Sequence, residues 1–222
     1  MIITIVASIL LSSAATLLKP LQERNEALDK KKNILISAGL LNGKALENAT
    51  PDGIESLYSD NIIEIVIDAD GLVKKGMKIS DVNPKETPDL LTLYINNKDG
   101  KMNGIIMPVS GKGLWSTIYG YLALAPDFNT VAGITFYKHG ETPGLGGEID
   151  KPAFTNKFKD KKIFEGNELV GITIAKGKVL EANDHLVDGI SGATLTGDGI
   201  NDFLLLELKK YLPYITQNME GK

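Results

Sequence analysis

The sequence predicts an α+β protein, in which one N-terminal transmembrane helix leads into a single domain with a mainly antiparallel sheet and flanking helices. Two observations predict this class: residues 2–18 carry no charge, and short β-like runs separated by turns fill most of the chain after residue 50. The length of 222 residues suits one ordinary domain with an appendage. We therefore expect an anchor at 1–18, a juxtamembrane helix at 19–45 and the domain at 46–222.

The apolar N-terminal segment is best explained as a membrane anchor. As a helix, residues 2–18 span about 25 Å, which is the short end of what crosses a bilayer. A cleaved signal peptide is one alternative, because Ser13-Ala14-Ala15 resembles a cleavage site, but no basic residue precedes the apolar run. A buried core helix is the other. The short span and the missing basic residues also suggest that the natural chain begins upstream of Met1.

A polar helix is predicted directly after Lys19 and Pro20. Over residues 21–41, Leu28, Ile34 and Leu35 approximate a helical stripe among charged residues, which are typical of a solvated face. The basic residues that follow the apolar segment would place the domain on the cytoplasmic side of a membrane. Residues upstream of Met1 could reverse that orientation.

The domain is predicted to contain six strands and two further helices. The β-rich runs are residues 62–67, 91–95, 105–109, 119–125, 131–137 and 169–175. Turn chemistry occurs at 68–71 (DADG) and 97–100 (NKDG), and the residue patterns predict helices at 152–162 and 195–212. No glycine pattern that opens a dinucleotide-binding βαβ unit is present.

Composition excludes several classes of function. The 24 Lys and Arg residues against 28 Asp and Glu residues give a net charge of −4, which does not suit nucleic-acid binding. The absence of cysteine excludes disulfides, thiol nucleophiles and thiolate-held metal clusters, and two histidines are too few for a histidine-rich metal site. We therefore predict no metal site, and any redox chemistry requires an organic cofactor.

A glycine-rich loop at 138–148 is the first candidate binding site. Four glycines and Pro143 fall within eight residues, so the backbone must be irregular and can approach a planar ligand closely. Exposed amides in such a loop can bind ring carbonyls or phosphate oxygens. The alternative is a simple turn between a strand and a helix.

The segment 188–196 (DGISGATLT), which runs into the predicted C-terminal helix, is the second candidate. Its small residues leave the Thr194 hydroxyl accessible at a helix N-terminus, where N–H groups and the helix dipole favour a phosphate. The alternative is that Ser191, Thr194 or Thr196 only caps the helix.

Several segments together resemble the FMN-binding domain family. Residues 188–194 match its attachment motif, in which Asp, Ser, Gly and Ala precede the Thr or Ser that carries FMN, and residues 141–146 (ETPGLG) are similar to its second motif. Residues 113–116 (GLWS), 125–129 (APDFN), 133–137 (GITFY) and 18–22 (LKPLQ) resemble in particular the C subunits of sodium-translocating NADH:quinone reductases. The resemblance covers nearly the whole chain.

The resemblance implies a specific cofactor site. FMN would be bound covalently, through a phosphodiester to Thr194, and a separate flavin transferase using FAD would attach it. The transferase would recognise Asp188, Ser191, Gly192 and Ala193. The isoalloxazine ring would lie along Glu141, Thr142, Leu145 and Gly146, with Trp115 and Ser116 lining the pocket.

The resemblance also implies a function and a location. The chain would be an electron-relay subunit of a sodium-pumping NADH:ubiquinone oxidoreductase complex in a bacterial inner membrane, incomplete as a catalyst without its partner subunits. Its single-pass anchor would leave the domain on the periplasmic side, in conflict with the charge pattern. Two alternatives stay open: the flavin-bearing G subunit of the related ion-translocating electron transport complex, and a flavin-free, membrane-anchored binding or assembly module.

Overall fold

The computed structural model describes residues 2–220, which form a five-stranded antiparallel sheet with helices on both faces. The helices are α1 (Ile2–Ser37), α2 (Gly43–Glu47), α3 (Pro51–Asn61), α4 (Pro152–Thr155) and α5 (Thr194–Glu220). Three short 3₁₀ helices occupy Ile79–Asp81, Gly146–Asp150 and Asn156–Phe158.

The main sheet is a meander whose strand order follows the chain, each strand pairing antiparallel with the next. Its strands are β1 (Ile62–Asp68), β2 (Leu90–Lys98), β3 (Lys101–Lys112), β4 (Thr117–Leu124) and β5 (Val131–Lys138). Four two-residue strands form two small sheets: β6 (Phe164–Glu165) with β7 (Glu168–Leu169), and β8 (Thr173–Ile174) with β9 (Leu186–Val187). The predicted α+β class with a mainly antiparallel sheet is confirmed.

The hairpin between β2 and β3 shows how the sequence sets the register. Lys98 lies opposite Lys101, so only Asp99 and Gly100 form the turn. Both have positive φ angles, 53° and 76°, which is the conformation of the two-residue turn that matches the twist of a hairpin. The predicted turn at 97–100 is therefore confirmed.

The alternation of side chains along the strands separates the core into two halves. Leu93 and Ile105 face one side of the sheet, where they cluster with Leu204 and Leu208 of α5. Their neighbours Tyr94 and Ile106 face the other side and cluster with residues of α1 and α3: Ile34, Leu35, Ile54 and Tyr58.

Helix α1 is continuous, although we predicted one helical segment at 1–18 and a second at 21–41. Pro20 lies inside this helix. The helix continues through it because a proline removes only one N–H group from the hydrogen-bond ladder and the residues around it are good helix formers. Residues 3–18 are exposed, whereas Ile34 and Leu35 near the end of the helix are buried. By length and composition this helix can cross a membrane.

Four other elements differ from the predictions. Helix α3 was not predicted, although Thr50 accepts a hydrogen bond from the Gly53 N–H at 3.2 Å and Pro51 is its first residue. The predicted strand at 169–175 is divided by Gly171, whose φ is 70°. In place of the predicted helix at 152–162, the chain forms only α4 and a 3₁₀ turn that ends at Phe158. Helix α5 continues past residue 212, where we predicted its end, and includes Pro213.

Candidate cofactor site

The buried carboxylate of Glu141 joins three separate segments at one end of the sheet. Its Oε1 accepts hydrogen bonds from the N–H groups of Trp115 and Ser116 at 2.9 and 3.2 Å. Its Oε2 accepts from the Leu114 N–H at 3.2 Å and from the Thr196 hydroxyl at 2.7 Å. The turn after β3, the loop after β5 and the first turn of α5 are therefore held together by one side chain.

These hydrogen bonds keep the Glu141 carboxylate charged, and it forms no ion pair within residues 2–220. Burial on its own raises the pKa of this carboxyl, but the Thr196 hydroxyl and the N–H groups of residues 114–116 outweigh burial and hold the pKa below its usual value. Four donors to one buried carboxylate are a strong stabilisation of the charged form.

Two glycines make room for this arrangement. A Cβ at Gly113 would lie 2.7 Å from Glu141 Oε1, and a Cβ at Gly146 would lie 2.4 Å from the Thr196 hydroxyl. Both contacts are shorter than van der Waals distance, so any larger residue would displace the carboxylate or the hydroxyl. Glycine is therefore required at both positions, because the neighbouring polar groups lie too close for any side chain.

The turn between β3 and β4 presents apolar side chains to solvent. Gly113 N–H donates to the carbonyl of Ser116 at 2.8 Å, and the Ser116 hydroxyl accepts from Gly140 N–H at 2.6 Å. With the backbone fixed in this way, Trp115 is 70% exposed and Leu114 is 41% exposed. An exposed tryptophan on a fixed turn is suited to stacking against a planar ligand.

The glycine-rich loop contacts the segment that contains Thr194. The Thr142 carbonyl accepts hydrogen bonds from the N–H groups of Leu145 and Gly147 at 3.1 and 2.8 Å, and Gly144 has a φ of 75°. Leu145 remains 44% exposed, and a Cβ at Gly192 would meet its Cδ2 at 2.9 Å. The two motifs, about 50 residues apart in sequence, are therefore neighbours.

Hydrogen bonds fix the segment that leads to Thr194. Asp188 Oδ1 accepts from the Val179 N–H at 2.7 Å, and Gly189 N–H donates to the Gly177 carbonyl at 2.9 Å. Ala193 is buried immediately before α5 begins. Thr194 is the first residue of α5 and is exposed, so its hydroxyl is accessible at the N-terminus of a 27-residue helix.

A cavity of about 390 Å³ lies beside this hydroxyl. We call it the lysine pocket, because its charged lining consists of three lysines and one aspartate; the side chains used below are Lys157, Lys176, Lys178, Asp188, Ser191 and Thr194. A pocket with this lining suits a phosphate group close to Thr194.

The structure brings the predicted site residues together at one end of the sheet, and they differ in exposure. Trp115, Leu145 and Thr194 are exposed around the site, as are Thr142, Ser191 and Gly192. Gly146 and Ala193 are buried, and so is the Glu141 carboxylate, which is occupied by internal hydrogen bonds.

The sequence analysis missed the part that Thr196 and the three lysines take in the site. Thr196 follows the attachment motif by two residues, and Lys176 and Lys178 flank a single glycine in the chain. The lysines were not found because nothing in the sequence places residues 157 and 176–178 beside residue 194.

Comparison with known proteins agrees with this geometry. The FMN-binding domain model matches residues 113–205, a range that begins at the turn before Trp115 and includes both motifs. The C subunit of the Na(+)-translocating NADH-quinone reductase of Pseudomonas aeruginosa is 35% identical over 240 aligned positions, which cover 95% of this chain and 89% of that protein. The chain belongs to this family of C subunits.

Solved structures of the same family share the fold. The crystal structure of the C subunit from Parabacteroides distasonis superposes with a TM-score of 0.78 at 33% identity, covering 90% of this chain and 97% of that one. NqrC of Shewanella oneidensis superposes with a TM-score of 0.77 at 26% identity, covering 91% of this chain and all of that one. The likeness extends well beyond the two motifs.

Proposed function

We propose that this chain is the FMN-bearing, electron-relay subunit of a sodium-translocating NADH-quinone reductase, with FMN bound through a phosphodiester to Thr194. The observation that carries the proposal is the accessible Thr194 hydroxyl at the start of α5, beside the lysine pocket, in a member of the family of C subunits. The membership also favours this complex over the related one whose G subunit was an alternative.

The residues around Thr194 fit both ends of FMN. The lysine pocket supplies positive charge for the phosphate, and the exposed apolar surfaces of Trp115 and Leu145 suit the flat ring. Glu141 also has a structural part in this site. Its carboxylate positions the backbone of Trp115 and the first turn of α5, which begins with Thr194.

In this function the chain holds the cofactor rather than performing chemistry with its own side chains. FMN supplies the ability to accept and pass on electrons one or two at a time. A covalent bond at Thr194 keeps the flavin in place in each redox state, irrespective of its affinity. NADH oxidation and sodium transport would belong to the other subunits of the complex, so the chain alone is catalytically incomplete.

We also propose where the chain lies. Helix α1 would cross the bacterial inner membrane once and carry the domain on the periplasmic side. The exposed apolar first half of α1 supports an anchor. The periplasmic side rests on the resemblance of the chain to the C subunits.

Substitution of Thr194 tests the proposal directly. We expect that Thr194→Ala, co-produced with a flavin transferase, stays folded but carries no covalent flavin, because it lacks the hydroxyl oxygen. The first readout is the intact mass, which for the unsubstituted chain rises by the mass of one FMN minus one water. The second is the flavin fluorescence of the denatured gel band. Electron transfer to quinone by the assembled complex should also be lost.

Matched variants make the test specific. Thr194→Ser keeps a hydroxyl and should retain flavin, and Thr173→Ala removes an exposed hydroxyl outside the pocket and the motif and should also retain it. Covalent flavin on Thr194→Ala would place the attachment elsewhere. An unmodified mass for the natural sequence, in the presence of an active transferase, would instead support the flavin-free binding module.

A further inference from the structure

The lysine pocket has more positive charge than one phosphodiester requires. Three lysines and a single aspartate line it, whereas a phosphodiester on Thr194 would bring one negative charge. A cluster of like charges that lines one cavity creates a local positive potential that attracts a further anion. A flavin compound with a second negative charge near Thr194 would supply that anion.

The three lysines are not equivalent. Lys157 is partly buried, with its ammonium 3.9 Å from Asp188 Oδ2 and 5.7 Å from the centre of the Phe154 ring. Within residues 2–220, no carboxylate lies within ion-pair distance of Lys176 or Lys178, and both side chains are exposed. Asp188 thus offsets Lys157, and two cationic groups face the pocket without a protein anion.

Formation of the bond at Thr194 requires an activated phosphate. An FMN monophosphate has no good leaving group, whereas the diphosphate of FAD does, and that diphosphate carries two negative charges. The Thr194 oxygen forms a bond to the flavin-side phosphorus, the bond from that phosphorus to the bridging oxygen breaks, and AMP leaves with the electron pair. The hydroxyl proton passes to a general base of the transferase. No electron is gained or lost.

We propose that Lys176 and Lys178 of the lysine pocket bind the diphosphate of FAD during this transfer, so that the acceptor chain itself forms part of the donor site. The inference rests on the proposed attachment at Thr194 and assigns to two further residues of the same site the recognition of the donor. The two unpaired ammonium groups match the two charges of the diphosphate and stabilise the charge that develops on the departing AMP. Lys157, held by Asp188, faces the phosphate that remains.

The test is the kinetics of flavin transfer to the full chain in detergent, with FAD and purified transferase. The variant is Lys176→Gln/Lys178→Gln. Its control is Lys159→Gln/Lys209→Gln, which changes the net charge equally at two exposed lysines outside the pocket. We expect the KM for FAD to rise roughly tenfold or more in the pocket variant alone, since hydrogen bonds between charged groups are lost. The KM for the acceptor chain should stay unchanged.

Each other result overturns the inference. An unchanged KM for FAD in the pocket variant would show that the lysines do not bind the donor. A rise only in the KM for the acceptor chain would show that they contact the transferase instead. Both results differ from failure of the proposed function, in which the unsubstituted chain takes up no flavin at all. Circular dichroism of both variants verifies that the fold is retained.

Discussion

Glu141 is the residue on which the geometry of the site depends. A buried carboxylate without a cation is costly in a protein interior unless hydrogen bonds replace its hydration. Here three backbone N–H groups and one hydroxyl do so, and they come from two other segments of the chain. The charge of Glu141 is thereby used to hold the site in shape.

Glu141→Gln should therefore lower the free energy of unfolding by about 1–3 kcal/mol. The amide keeps one acceptor oxygen but replaces the other with an NH₂ group, which confronts backbone N–H groups that then have no acceptor. Urea denaturation measures the loss. Glu165→Gln makes the same change at an exposed carboxylate and should be nearly neutral. A variant as stable as this control would mean that the four hydrogen bonds add no net stability.

The same residue predicts a dependence on pH. Because the folded-state pKa of Glu141 lies below the usual value of 4.5, its contribution to stability is present above pH 4.5 and is lost as the pH falls through the folded-state pKa. The stability difference between the natural sequence and Glu141→Gln should thus be largest near neutral pH and should narrow in acid. Denaturation curves across this range measure it, and a difference that widens in acid would mean that burial controls the pKa.

The sequence indicated most of the residues of the site but not the part that each one takes. Residues 113–116, 141–146 and 188–194 were identified from their local motifs, because small residues and a hydroxyl in a fixed order can be read directly. The bond from Glu141 to Thr196 joins residues 55 positions apart. No local pattern reports such a contact, so the support that Glu141 gives to the backbone was not predicted.

At the scale of elements, a side chain of α5 connects β2 and β3 where the two strands form no backbone hydrogen bonds. Pro108 in β3 has no N–H group, and the pairs between β2 and β3 run only from Tyr94 opposite Ile106 to Lys98 opposite Lys101. The hydroxyl of Tyr211, buried in α5, lies 3.1 Å from the Thr92 carbonyl and 3.4 Å from the Pro108 carbonyl. A helix side chain thus joins the two strands where backbone pairing stops.

Tyr211→Phe should destabilise the domain by about 1 kcal/mol, because it removes the hydroxyl and keeps the packing of the ring. The measurement is the denaturation midpoint, with an unchanged dependence on denaturant. Tyr119→Phe, at a ring that is 38% exposed, is the control and should have little effect. Equal midpoints for the two variants would indicate that the hydroxyl of Tyr211 has no part in holding β2 to β3.

The secondary-structure elements were predicted best where the residue pattern and the length of a segment indicated the same type of element. The five strands of the main sheet were all found, because a sheet that is covered on both faces gives short, nearly continuous apolar runs along β1 to β5. Helix α3 was missed although Thr50 and Pro51 mark its start, since its composition is mostly polar and glycine lies within it. The short strands β6 to β9 have too few residues to show any period.

At the scale of the whole molecule, α1 links the anchor and the domain without a flexible connection. Its first half is exposed and apolar, and its last turns contribute Ile34 and Leu35 to the core. The position of the domain relative to a membrane would thus be governed by the tilt of one helix. The sequence could not predict this, because Pro20 falls where a boundary was expected.

The side of the membrane can be determined with one introduced cysteine. The chain has none of its own, and Leu72 is 55% exposed and lies outside the site residues. We expect Leu72→Cys to react with a membrane-impermeant maleimide in spheroplasts, as a periplasmic domain requires. The natural sequence is the blank, and detergent-lysed cells show full reactivity. Labelling only after lysis would place the domain in the cytoplasm, as the basic residues after the anchor suggest.

The close approach of glycines to Glu141 and Thr196 has a consequence for evolution. A side chain at Gly146 would collide with the Thr196 hydroxyl, and one at Gly113 would collide with the Glu141 carboxylate. No one of these four positions can therefore change freely while the others are kept. Lineages that preserve the bound flavin should hold all four fixed, and a lineage that has lost the flavin should have lost them as a group.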